Sequence, residues 1–424
     1  MHTKDFDPYD FSKKEINGVP VYYKNLPWAP CIHIRVVFNT GAFDDPAGKE
    51  GISHFLEHMI FDGGSPVLPD NKAIREWSKQ HTLNSWNATT EFNQTHYRLK
   101  CLPEEYNFTL SGMKDMIFHS YFSSESVEHE RKVITQEAWN KFLNEKFLAY
   151  IKEFVDNLFH GHDHSRSYNA VGWPDTIAKI SQEDVKTWHK NNYGIGNLFI
   201  VLVGAVEEKH IESLKDFLKD LPKVSKIIKN EEFLDKPKQN RFVKTADEIG
   251  EVKEQVEISI IRVAGKRPYE ENEIANLSGK LIYDILYERL RIDHSLCYGI
   301  NINFWAGKTF SQTFINVKTE EKNIELVEKE SKNVIDEIIN KKYTERFCAV
   351  KKMYIEQLRS AENLSENIIQ SALWQISKND GHIVTQKEQL EEIEKVTYDD
   401  VAKFIKWVFD PEYIYTEIIL PSKK

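Results

Sequence analysis

Apolar and polar residues alternate through Ile32-His33-Ile34-Arg35-Val36, the period of two expected of a half-buried β-strand, whose successive side chains leave opposite faces. Upstream, Asn17-Gly18 interrupts the apolar positions of 16–24. That dipeptide closes tight hairpins, so the chain is expected to begin in a sheet. From Gly51 to Phe61 the apolar spacing becomes helical and stops at Gly63-Gly64, and Asp70 is a natural N-cap for a second helix running to about Gln80. Residues 83–101 read as two strands, with Thr95, Tyr97, Leu99 and Cys101 on one face. Pro103 suits the first turn of the next helix, and further helices follow between Glu125 and Leu158.

The pattern then repeats. Lys179-Ile180-Ser181-Gln182-Glu183-Asp184-Val185 resembles Lys395-Val396-Thr397-Tyr398-Asp399-Asp400-Val401, about half of the 424-residue chain further on. The same offset pairs Trp188 with Phe404, Lys190 with Lys406 and Tyr193 with Phe409, and sets an apolar strand at 198–203 opposite one at 414–419. Each copy is a helix capped by Ser181 or Thr397, with an Asp three residues on, leading into a terminal strand. The fold class expected is α+β, built as two related halves, each a mainly antiparallel sheet with helices packed on it. The halves are placed at 1–225 and 246–424, joined by a polar linker at 226–245.

Composition narrows the function. Hydrophobic residues make up 41% and charged residues 29%, and no apolar run approaches the roughly 18 residues of a membrane-spanning helix. With 56 Lys+Arg against 66 Asp+Glu the net charge is −10, which disfavours nucleic acid as a partner because phosphate needs a basic surface. Neither nucleic acid nor membrane is therefore expected as a partner. Cys31, Cys101, Cys297 and Cys348 are far apart, form no C-x-x-C pair and lie in apolar stretches, so buried thiols are expected rather than disulfides. The first residues show neither a signal sequence nor a transit pattern, and the cytoplasm is the expected location.

The chemistry is concentrated in Gly51-Ile52-Ser53-His54-Phe55-Leu56-Glu57-His58-Met59-Ile60-Phe61, an H-x-x-E-H pattern within an expected helix. His54 and His58 stack one turn apart, with Glu57 beside them. Two such imidazoles suit a tetrahedral zinc, and the neighbouring carboxylate suits removal of a proton from a water ligand. A third protein ligand is needed from another helix. Glu130 and Glu137 are both candidates, because seven residues bring them to the same helical face. His160-Gly161-His162-Asp163-His164 is a rival metal tract, but it lies in a loop pattern that does not fix its rings relative to one another.

On these residues the sequence resembles the inverzincin zinc peptidases, the family of pitrilysin, insulin-degrading enzyme and the mitochondrial processing peptidase. The resemblance extends to Gly63-Gly64-Ser65 after the helix, Asn87-Ala88-x-Thr90 followed by Thr95-x-Tyr97, and Glu130 with Glu137 downstream. It implies that His54, His58 and Glu137 ligate one zinc per chain, that Glu57 is the general base, and that Glu130 supports the site from behind the ligands. Asn87 and Ala88 would lie on an edge strand that holds the substrate backbone. In the second half, Arg291 and Tyr298 resemble the family's Arg and Tyr, which would steady the oxyanion of the tetrahedral intermediate. No H-x-x-E-H occurs there. Leu83-Asn84-Ser85-Trp86 departs from the glycines of many relatives, and Trp86 is expected to re-aim a substrate pocket.

The resemblance implies a zinc-dependent endopeptidase acting on peptides or unfolded segments in an enclosed chamber. The family's long members carry four such halves, so two chains are expected to close the chamber, as a homodimer or with a related subunit. The alternative is a non-catalytic scaffold or partner subunit, as in family members that have lost their metal ligands.

Overall fold

The computed structural model describes residues 6–159, 162, 168–227, 236–268, 271–360 and 364–423. Two sheets organise the chain. The first contains β1 (Ser12–Ile16), β2 (Val19–Asn25), β3 (Ile32–Phe38), β4 (Asn87–Thr90), β5 (Thr95–Cys101) and β6 (Leu198–Gly204), in the order β1-β2-β6-β3-β5-β4. The second contains β7 (Arg241–Thr245), β8 (Val256–Gly265), β9 (Cys297–Ala306), β10 (Phe310–Thr319) and β11 (Tyr415–Leu420), in the order β7-β11-β8-β10-β9. With β1 set aside, the two orders are the same. In each sheet the last strand in sequence runs parallel to the first and antiparallel to the central strand, β6 on β2 and β3, β11 on β7 and β8.

The repeat seen in sequence is thus the end of a duplicated sheet. Its capping boxes match closely. The Asp184 N–H reaches Ser181 Oγ at 3.2 Å, and the Asp400 N–H reaches Thr397 Oγ1 at 3.2 Å. The hairpin at Asn17-Gly18 forms with positive φ at both residues (51° and 81°), the backbone that an Asn-Gly turn favours. Among the described residues, no helix is long and apolar enough to cross a membrane.

Packing divides the chain into two units that are not contiguous in sequence. The first is drawn from 1–141, 166–228 and 363–384, the second from 142–165, 229–362 and 385–424. Two helices therefore cross the boundaries expected at 225 and 246. The helix Glu145–Phe159 belongs to the second unit, where Tyr150 donates its hydroxyl to Glu417 at 2.8 Å and Phe159 meets Phe310 edge-on. The helix Ser365–Lys378 belongs to the first, its Ile368, Ile369, Leu373 and Ile376 packing on Val37, Phe199, Val201 and Val203. Periodicity reveals that a helix has an apolar face but not which sheet that face covers.

The second of these helices changes the character of β3. Alternation suggested one solvated face, yet every residue of β3 is buried, including His33 and Arg35. The counter-charge is Glu366, which accepts hydrogen bonds from His33 Nδ1 at 2.9 Å and from Arg35 Nη2. Those partners hold its carboxyl down at about 2. Glu366→Gln is expected to lower the stability of the first unit by about 2 kcal/mol at neutral pH, since it strands the buried Arg35; the figure is reduced because Glu366 is half exposed. A carboxyl depressed on folding stabilises above its unfolded value near 4 and loses that contribution as pH falls toward 2. Urea unfolding across this range should show the wild-type advantage shrink toward nothing. Equal midpoints at neutral pH would refute it.

Three local expectations are corrected. Trp86 is only 6% exposed and stacks between Phe61 and Tyr97 at 5.8 and 5.9 Å, so it fills the core instead of shaping a substrate pocket. Leu83 and Asn84 adopt positive φ in a turn, and the strand begins only at Asn87. All four cysteines are free, but Cys348 is exposed and Cys31 half-buried, while Cys101 and Cys297 are buried.

Candidate metal centre

Helix α1 (Ile52–Asp62) is anchored at its start by two backbones in contact. A Cβ on Gly51 would stand 2.7 Å from the Val171 carbonyl oxygen, and one on Gly172 only 2.4 Å from the Glu50 carbonyl oxygen, so both positions require glycine. Asp45 caps the helix. Its carboxylate accepts from the N–H of Gly51 at 2.6 Å, the N–H of Ser53 at 3.2 Å and the Ser53 hydroxyl at 2.6 Å, satisfying donors that have no partner within the helix. Burial pushes the Asp45 carboxyl up to about 7 against those bonds. Phe55, Leu56, Met59 and Ile60 point into the core, which leaves His54, Glu57 and His58 on the remaining face.

The helix Ser124–Phe142 brings up Glu130 and Glu137. Glu137 Oε2 lies 3.7 Å from His54 Nε2 and 3.5 Å from His58 Nε2. Glu130 instead accepts from His58 Nδ1 at 3.0 Å, on the far side of that ring. The two acids that sequence left as equal candidates are therefore separated by position. The group His54, His58 and Glu137 offers three donor atoms within 4.8 Å of one another. Zinc bonds of about 2.0–2.1 Å in a tetrahedron place neighbouring ligand atoms roughly 3.3–3.5 Å apart. Two imidazoles and a carboxylate at these spacings fit that ion.

The field at the cluster favours a cation. Burial and the neighbouring His58 lower His54 to about 3, so its imidazole is neutral with a lone pair to offer. Burial also opposes charge on His58, but hydrogen bonds to Glu130 and Glu137 outweigh it and raise the ring to about 10. The carboxylates thus hold one positive charge that a metal dication would replace.

Glu57 sits at the boundary between this cluster and strand β4. Its Oε2 accepts from the Thr90 hydroxyl at 2.7 Å, and burial raises its carboxyl above the ordinary range. β4 is the terminal strand of its sheet, paired only with β5 among the described residues. Asn87 is exposed and Ala88 buried. The N–H of Ala88 is taken by Asn87 Oδ1 at 2.8 Å and its carbonyl by the Thr89 hydroxyl at 2.7 Å, so side chains of β4 itself satisfy backbone groups beside its free edge.

Arg291 and Tyr298 belong to the second unit. They flank the turn between the helical stretch Tyr287–Asp293 and β9, and both are exposed. Arg291 Nη1 donates to the Cys297 carbonyl at 2.7 Å, and the Tyr298 hydroxyl to Glu320 at 3.3 Å. Of the His160/His162/His164 tract, only His162 lies within the described residues. Sequence reasoning did not assign a role to Asp45 or Thr90. An acid a few residues ahead of an expected helix is a legible capping signal, whereas the Thr90 contact with Glu57 depends on tertiary approach.

Comparison with known proteins accords with this geometry. The family model described as Insulinase (Peptidase family M16) matches residues 21–160, and the one described as Peptidase M16 inactive domain matches 179–348. An uncharacterized zinc protease of Rickettsia felis is 25% identical over 407 residues, covering 93% of each chain. Among solved structures, a protease from Helicobacter pylori superposes with a TM-score of 0.82 at 16% identity, covering 97% of this chain and 99% of that one. The periplasmic protease PqqL from Escherichia coli superposes with a TM-score of 0.81 at 16% identity over 97% of this chain but only 48% of its own.

Proposed function

The chain belongs to the M16, insulinase-like family of peptidases, and on that premise we propose that it is a zinc-dependent endopeptidase cutting peptides and unfolded segments. The observation that carries this reading is Glu137 Oε2 standing 3.7 and 3.5 Å from the two Nε2 atoms, with Glu57 on the same helix face. His54, His58 and Glu137 would hold one zinc. When bound, zinc supplies Lewis-acid polarisation of a peptide carbonyl and lowers the pKa of water.

The chain's own groups perform the rest. Glu130 accepts the Nδ1 proton of His58, which fixes the tautomer and turns the Nε2 lone pair toward the site. Thr90 holds Glu57 by Oε2, leaving Oε1 to take a proton from the attacking water and pass it to the leaving amine nitrogen. Substrate would add as a strand beside β4, Asn87 and Thr89 releasing the Ala88 backbone groups to it. Arg291 and Tyr298 of a second copy of the chain would donate hydrogen bonds to the oxyanion.

A chamber closed by two copies of the chain completes the proposal, with a related subunit as the alternative second copy. Its support is that PqqL superposes on this chain over only 48% of its own length. The match of the second half to an inactive domain agrees with its lack of H-x-x-E-H; the metal cluster of the first unit is intact, which favours catalysis over a scaffold role.

The test is turnover of a mixed pool of unstructured peptides, with and without a chelator, read by mass spectrometry. Internal cleavage that stops with chelator and returns with zinc is expected, from a species of about twice the 49.7 kDa chain mass. Stoichiometric zinc without cleavage from the two-chain species would defeat the peptidase reading, the same result from a single chain would point to the related subunit, and an active species of one chain mass would defeat the two-chain chamber.

A further inference from the structure

Resting on the peptidase reading, we propose that the face of the first sheet bearing Arg98 selects substrates with acidic side chains at alternate residues. Arg98 is its specificity-determining residue, assisted by Lys100. Residues directly opposite in adjacent antiparallel strands share a face. The register sets Arg35 of β3 opposite Arg98 of β5, and Arg98 opposite Asn87 of β4. In the next row of this face Val37, His96 and Thr89 line up, and on the other side His33 stands opposite Lys100. Arg35, Arg98, Lys100 and two histidines therefore share a face that ends at the strand where substrate would add, with His96 kept neutral by burial.

Two guanidinium groups directly opposite one another repel, and a sheet tolerates them only with a counter-charge. Glu366 supplies one; its hydrogen bonds go to Arg35 and His33, and its charge reaches Arg98 only at a distance. The side chains of Arg98 and Lys100 make no hydrogen bond or ion pair among the described residues, and both are half-buried. Beside them, the Nε of Arg35 and both ring nitrogens of His96, each residue 1% exposed, have no hydrogen-bond partner. At that burial they are out of reach of a substrate, and His96, lowered to about 3 by burial, is a neutral ring. The groups open to a substrate are thus Arg98 and Lys100, and a carboxylate is the partner their charge calls for.

Reach is adequate. Strands lie about 4.8 Å apart, so a substrate residue opposite Asn87 has its Cα roughly 10 Å from that of Arg98, a gap that extended Arg and Glu side chains close between them. Successive substrate side chains leave opposite faces, so only every second one meets this surface. A lysine there would face like charge and leave Arg98 unpaired.

The test uses the full chain as Glu57→Gln, which by the proposed mechanism binds without cutting. Three unstructured fluorescent peptides differ only in carrying Glu, Gln or Lys at every second residue. The Glu peptide is expected to bind about tenfold tighter than the Gln peptide, the Lys peptide most weakly, with the spread narrowing as salt is raised. The chain's net charge of −10 would by itself produce the reverse order, so this ranking reports the local surface. Adding Arg98→Glu should invert the ranking. Arg98→Gln, the milder change, should remove most of the preference and serves if the reversal disturbs folding. Equal affinity for the Glu and Gln peptides, or a preference that survives Arg98→Gln, would overturn the inference. Cleavage by the zinc-loaded wild type is scored separately: cleavage without acid preference defeats this inference alone, and acid preference without cleavage defeats the peptidase reading while leaving the acid-selective face in place.

Discussion

Glu57→Gln is expected to lower turnover of unstructured peptides by about a thousandfold or more while leaving zinc content and thermal stability close to wild type. General base catalysis contributes roughly 10²–10⁴ in rate, and the amide of Gln cannot take the proton. The substitution is otherwise conservative. Glu57 is held through one oxygen by the Thr90 hydroxyl at 2.7 Å, and the amide oxygen of Gln accepts the same bond. Burial already raises this carboxyl, so the neutral amide removes a charge that its surroundings disfavour. The stability change should accordingly be small or slightly favourable. The measurement is kcat on one defined peptide, with metal analysis of the same preparation. A variant that keeps a tenth of wild-type turnover would exclude Glu57 as the base.

His58→Ala is expected to abolish both bound zinc and turnover, and the contrast with Glu130→Gln is what makes the result diagnostic. Removing His58 deletes one of three donors, and two remaining ligands do not hold zinc against dilution. Glu130 touches only the far nitrogen of that ring, so its amide variant should keep the site but weaken zinc affinity by about 10–100-fold. A bound ion stabilises the folded state in proportion to its occupancy. Chelator should therefore lower the melting temperature of the wild type and leave that of His58→Ala unchanged. Zinc titration followed by metal analysis gives the ranking wild type, Glu130→Gln, His58→Ala. Full zinc occupancy in His58→Ala would remove this cluster from consideration as the metal site.

Much of this site was legible without coordinates because its parts lie on regular elements. Helical geometry alone puts His54 and His58 one turn apart and Glu130 and Glu137 two turns apart, and the observed helices Ile52–Asp62 and Ser124–Phe142 carry them so. The duplication was legible for the same reason. The capped helix beginning at Ser181 or Thr397 and the strand after it are local patterns, repeated where the two sheets later proved to share one strand order.

What the sequence by itself determined, then, is whatever a single element's period dictates: two α+β halves, the H-x-x-E-H face of one helix and the acidic face of another. The tertiary structure decided everything that needs two elements to meet. It separated Glu137, facing both Nε2 atoms, from Glu130, behind His58, although the two acids are equivalent by period. It moved the helix Ser365–Lys378 onto the first sheet, burying His33 and Arg35 that alternation had left in solvent, and sent Trp86 into the core. Periodicity records which side of an element is apolar. Which neighbour covers that side, and which charge it brings, is set by long-range packing that one-dimensional spacing does not encode.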